Sequence, residues 1–82
     1  MPWATADQAY LWTGEEPSQK ALALAQVLIE IFSGTTETAS DNGLISPRNL
    51  RLLGQAVSFQ AVWLDEHPDA LVTMDVQGVS QD

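Results

Sequence analysis

The stretch bracketed by Ser46-Pro47 and His67-Pro68 limits what this chain can become more than any other. Serine caps a helix well, and proline is favoured at the first helical position because the N–H it lacks has no partner there. At the far end, the residue before a proline is pushed out of helical geometry, so the helix stops before His67-Pro68. The spacing predicts a helix from Pro47 to about Glu66, roughly 20 residues and about 30 Å long. In an 82-residue chain that rod is the longest element of a single small domain.

One face of the rod carries Leu50, Leu53, Val57 and Leu64, and an adjoining face carries Leu52, Ala56, Phe59 and Trp63. Two apolar faces need two partners. One is the helix upstream; the other is a short terminal helix or another chain. Gly54 costs about 1 kcal/mol against alanine in the middle of a helix unless a second backbone approaches closely there.

Upstream, Thr5-Ala6-Asp7-Gln8 has the capping-box spacing and predicts a short helix to about Trp12, ended by Thr13-Gly14. Glu15-Glu16-Pro17-Ser18 forms a turn that brings negative charge to the positive end of the next helix dipole. A second helix is expected from near Ser18 through Phe32, with Gly34 as its left-handed stop. Its stripe is Ala21, Leu24, Ala25, Leu28, Ile31 and Phe32, expected to face the core. Leu22, Val27 and Ile29 lie off that stripe, so this helix too is apolar nearly all round. Thr35 to Leu44 reads as a long loop with turn chemistry at Asp41-Asn42-Gly43. Asp69 can cap a further turn or two through Met74, and Val76 to Asp82 is expected to be extended. The expectation is an all-α fold, a small bundle of about three to four helices around a long central one, with residues 1–75 as the helical domain and 76–82 as a C-terminal arm.

A domain this small buries only about 60 to 65% of its unfolded surface. With no cysteine there is no disulfide to reinforce it, which leaves partner contacts as the supplement. Eleven acidic residues against three basic ones give a net charge of −8, which repels a phosphate backbone. Tight nucleic-acid binding is disfavoured, although an acidic wall lets a polyanion pass without sticking. A hydrophobic fraction of 45% is too high for a disordered acidic chain. No run of about 18 apolar residues offers a membrane span, and the N-terminus lacks the order of a signal peptide.

Catalytic chemistry is not encoded in any pattern we recognise. His67, the single histidine, stands beside Glu66 and Asp69 at no metal-ligand spacing, and a histidine at a helix C-terminus complements the dipole without further role. Asp65 and Glu66 are adjacent on a helix, point in different directions and read as a solvated face. No nucleophile motif or phosphate loop is present, so the expectation is a non-enzyme with no metal and no cofactor.

What the sequence does offer is contact residues. Trp3, Trp12 and Trp63 are large amphipathic rings of the kind enriched at protein interfaces, with core packing as the plain alternative. Trp63 and Phe59 stand on the long helix, as core or subunit interface. Arg48 and Arg51, two of the three basic residues, occupy the first turns of that helix, where cations oppose the dipole. They suit an acidic partner, the next copy of the same chain included, or else remain solvated.

Ile45-Ser46-Pro47-Arg48-Asn49-Leu50-Arg51, then Ala56 through Leu64, His67-Pro68, Asp75-Val76 and Val79-Ser80-Gln81-Asp82, together with Met1 to Thr5 and Thr13-Gly14, resemble the head-to-tail adaptor proteins of long-tailed bacteriophages. The resemblance covers most of the chain and rests on packing motifs. It implies a helical protein of the virion, assembled in the host cytoplasm, that forms a ring, usually of twelve copies, beneath the portal protein. Such a ring hands on to a stopper or tail-completion protein, and DNA passes through its lumen without specific binding. It also implies a portal-binding role for the arm Val76, Gln77, Gly78, Val79, Ser80, Gln81 and Asp82. A small acidic regulatory or antitoxin-like partner-binding protein shares the same composition and differs in forming a defined heterodimer.

Overall fold

A computed structural model of the chain describes residues 1–69, in which four helices follow one another: α1 (Ala6–Thr13), α2 (Gln19–Ser33), α3 (Glu37–Asp41) and α4 (Pro47–Glu66). There is no strand among the described residues, and the fold is the expected small all-α one. The turn capped by Asp69 and the arm from Val76 to Asp82 run into residues outside those described.

Local chemistry sets the boundaries. Thr5 and Gln8 exchange both capping-box bonds, the Gln8 N–H donating to Thr5 Oγ1 at 3.2 Å and the Thr5 N–H to Gln8 Oε1 at 3.0 Å. Ser18 accepts from the Ala21 N–H and Ser46 from the Asn49 N–H, each at 3.2 Å. Pro47 takes the first helical position of α4, and the helix ends at Glu66 with His67 as its cap. Gly14 and Gly34 close α1 and α2 with φ of 81° and 74°, a left-handed geometry that glycine adopts without strain.

The segment after Gly34 departs from expectation. Within Thr35 to Leu44 the chain forms one more helical turn and a half, α3, capped by Thr36. Five residues cannot hold a helix alone. Contacts from outside it hold this one: the Glu37 N–H donates to Glu30 Oε2 of α2 at 2.8 Å, the Trp3 indole N–H donates to Ser40 Oγ at 3.0 Å, and the Met1 ammonium donates to Asp41 Oδ2 at 3.0 Å.

Both α1 and α2 pack against α4. The core is made of small side chains: of nine buried apolar residues among those described five are alanines (Ala4, Ala9, Ala21, Ala25, Ala61), joined by Trp3, Leu22, Val57 and Leu64. Gly54 explains its own presence in α4. A Cβ there would stand 2.6 Å from the Trp3 carbonyl oxygen and 3.0 Å from the Trp12 ring, so the helix meets the N-terminal segment backbone to backbone. The Trp3 N–H in turn donates to the buried Gln26 Oε1 at 2.9 Å.

The phase of α2 differs from the expected stripe. Ala21, Leu22, Ala25 and Gln26 are buried, while Ile31 and Phe32, assigned inward by periodicity, are 69% and 78% exposed. With apolar residues nearly all round, the stripe had no unique phase, and the alanines settled it by permitting the closest approach. The molecule spans 34 × 32 × 16 Å. At helix spacings of about 8–10 Å its thin direction holds two layers and no third, so every helix keeps an outward face.

Candidate interaction surface

The outward faces carry the large side chains. Tyr10, Leu11, Val27, Ile31, Phe32, Leu44, Leu52, Phe59 and Trp63 are all exposed, which places both phenylalanines of the chain outside the core. Monomeric proteins scatter exposed apolar residues singly; here several fall on continuous helix faces.

On α4 the division is clean. Val57, Ala61 and Leu64 point inward with Gly54 and Ser58, whereas Leu52, Phe59 and Trp63 are 48%, 58% and 46% exposed, with Ala56 half-buried between them. Spacings of four, three and four confine Leu52, Ala56, Phe59 and Trp63 to about 60° of arc, the pattern of a helix-packing seam. The second partner expected for this face is not supplied by the chain's described residues: α1 and α2 both lie on the inward side.

His67 extends the seam at its C-terminal end. Its ring stacks on Trp63 with centroids 4.1 Å apart and planes 17° from parallel. Its Nδ1 lies 2.7 Å from the Trp63 carbonyl oxygen, so the proton of the neutral ring is on Nδ1 and an otherwise free helix carbonyl is satisfied.

The remaining contact candidates separate. Trp3, at 7% exposed and with both nitrogens bonded inside the chain, takes the core place that was the plain alternative for it and has little surface left for another protein. Trp12 is half-buried against Gly54. Arg48 and Arg51 are exposed and have no ion-pair partner among the described residues. Arg51 lines a groove of ≈ 720 Å³ together with Trp3, Trp12, Leu50 and Asp41.

Two polar residues matter that the sequence did not reveal. Asp65, read as solvated, instead grips the start of α2: its Oδ1 accepts from the Ser18 hydroxyl at 2.8 Å and its Oδ2 from the Ser18 N–H at 2.6 Å. These groups are 47 residues apart, and no local spacing announces such a pair. Gln26 is the lone polar side chain on the buried face of α2, and its Nε2 is buried without a partner beside a groove of ≈ 440 Å³ lined by Ala4, Leu22, Val27 and Glu30. Its position beside Ala25 and Leu22 was the available signal.

The Met1 ammonium lies 3.0 Å from Asp41 Oδ2 and 3.3 Å from Glu37 Oε1. Hydrogen bonding to Asp41 raises its pKa above the ordinary 8.0; desolvation opposes the rise, and the hydrogen bond to Glu37 and both carboxylate charges add to it. No group of three or more potential metal ligands converges among the described residues, and no described helix is long and apolar enough to cross a membrane. Comparison with known proteins adds no relative: no family model, curated protein or solved structure matches the chain.

Proposed function

We propose that this chain is a structural subunit of a virion, a head-to-tail adaptor whose copies form a ring between the portal and the stopper or tail. The observation that carries the proposal is the inverted placement of side chains, alanine inside and Leu52, Phe59, Trp63, Ile31 and Phe32 outside. Fully burying a large exposed side chain contributes about 1.5–3 kcal/mol, and these side chains, half to three-quarters exposed, leave the corresponding share of that to be gained on assembly rather than on folding. The resemblance quoted above supplies the kind of assembly. A net charge of −8 suits a channel through which DNA moves without adhering.

Native mass spectrometry of the chain with the portal ring of the same phage tests this. Near-complete, cooperative addition of many copies, matching the portal's symmetry, is the expected outcome. One-to-one binding would favour a regulatory or antitoxin-like role, and no binding would remove the adaptor reading. Deleting Val76 to Asp82 is expected to abolish portal binding with helicity unchanged; retained binding would clear the arm of that role.

A further inference from the structure

The seam of α4 that the described residues leave uncovered has a charge pattern that selects its occupant. Arg48 lies in the first turn of α4 and Glu66 in the last, both exposed, and that helix has no acid in its first turn and no base in its last. Each charge therefore sits at the end of the helix dipole that repels it. On a helical wheel the two fall on the same flank of the seam, about 27 Å apart along the axis.

We infer that free copies of this chain pair through α4, antiparallel, about a two-fold axis between Ala56 and Phe59. In that register Leu52 of one copy meets Trp63 of the other, and Ala56 meets Phe59. Large faces small at the centre, as interdigitated packing requires. A two-fold axis perpendicular to both helices keeps a flank on its own side, so Arg48 lies beside Glu66 of the second copy, twice over. Each charge then stands at the dipole end of the other helix that attracts it. A parallel pair would carry the flank to the opposite side and keep Arg48 and Glu66 about 27 Å apart, with neither charge answered, and a basic foreign partner would leave the arginine unanswered.

This pairing is closed, consumes one face of α4 and does not rest on the adaptor reading. A ring needs a second, heterologous surface, for which the outer face of α2 with Val27, Ile31 and Phe32 remains.

Sedimentation equilibrium of the full chain from about 1 to about 300 µM is expected to show a monomer–dimer equilibrium. Phe59→Asp, with its helicity checked by circular dichroism, is expected to be monomeric throughout. Arg48→Glu or Glu66→Arg alone should raise the dimer dissociation constant about tenfold, because two attractive pairs become repulsive. The double variant R48E/E66R should restore it. The natural chain has no cysteine, so mixing L52C with W63C is expected to yield a disulfide-linked pair, whereas L52C alone yields little. A monomer at every concentration, failure of the charge swap to rescue, or preferred L52C–L52C linkage would each overturn the inference. So would L52C linkage to V27C, which would place the seam against α2 of the next copy.

Discussion

The two faces of α4 are built on opposite principles. Inward, Gly54, Ser58 and Ala61 are small, and at Gly54 the Trp3 carbonyl and the Trp12 ring come close to the helix backbone. Outward, Leu52, Phe59 and Trp63 are large and stay about half exposed, with the His67 ring stacked on Trp63. The inward face stabilises by proximity and the outward face by area still to be buried. Stability of the single chain and strength of its associations are therefore encoded on different sides of one helix, and mutation should separate them.

The sharpest break comes from Leu64→Ala, which removes the largest fully buried side chain and is expected to cost about 3 kcal/mol in chemical denaturation. Gly54→Ala comes next. On helix propensity alone it would gain about 1 kcal/mol, but its methyl meets the Trp3 carbonyl oxygen, and a net loss of about 2 kcal/mol is expected. A gain would mean that the close approach is not needed. Asp65→Ala frees the start of α2 and should lose about 1.5 kcal/mol, read from the same denaturation curves. Phe59→Ser, on the outward face, should move monomer stability by no more than about 0.5 kcal/mol when measured dilute, while weakening association.

The smallest effect concerns pH. The Met1 ammonium has a raised pKa, so with its α-amine free its bridge to Asp41 and Glu37 contributes fully below pH 8.0 and is lost as pH rises through the raised value. A slight fall in stability above that point, absent in Asp41→Asn, is the expected signature.

Capping was legible because it is local: Thr5-Gln8, Ser18, Gly34 and Ser46-Pro47 each declare a boundary within a few residues. Gly54 was legible as a condition, and the Trp3 carbonyl met it. Helix α3 was not, since Thr36 and Glu37 are weak local cues and Glu30, Trp3 and Met1 hold it from elsewhere in the chain. The face of α2 was ambiguous for a related reason. Ile31 and Phe32 lie on the stripe and Leu22 off it, yet Leu22 is buried and they are exposed, and only the close approach allowed by Ala21 and Ala25 decides between them. Of the interaction surface, Phe59 and Trp63 could be read as a separate stripe, but whether α1 would cover it required the structure. Asp65 and Ser18 lie too far apart in sequence for either to predict the other.

The alanine-rich core has a calorimetric consequence. Unfolding heat capacity follows the apolar area exposed, and side chains of one methyl expose little. The isolated chain should therefore have a broad, shallow stability curve, changing slowly with temperature. Association that covers Leu52, Phe59 and Trp63 carries its own negative heat-capacity change. In this molecule the thermal signature of hydrophobic burial belongs in large part to the meeting of chains, and warming should act first on their partnership and only later on their fold.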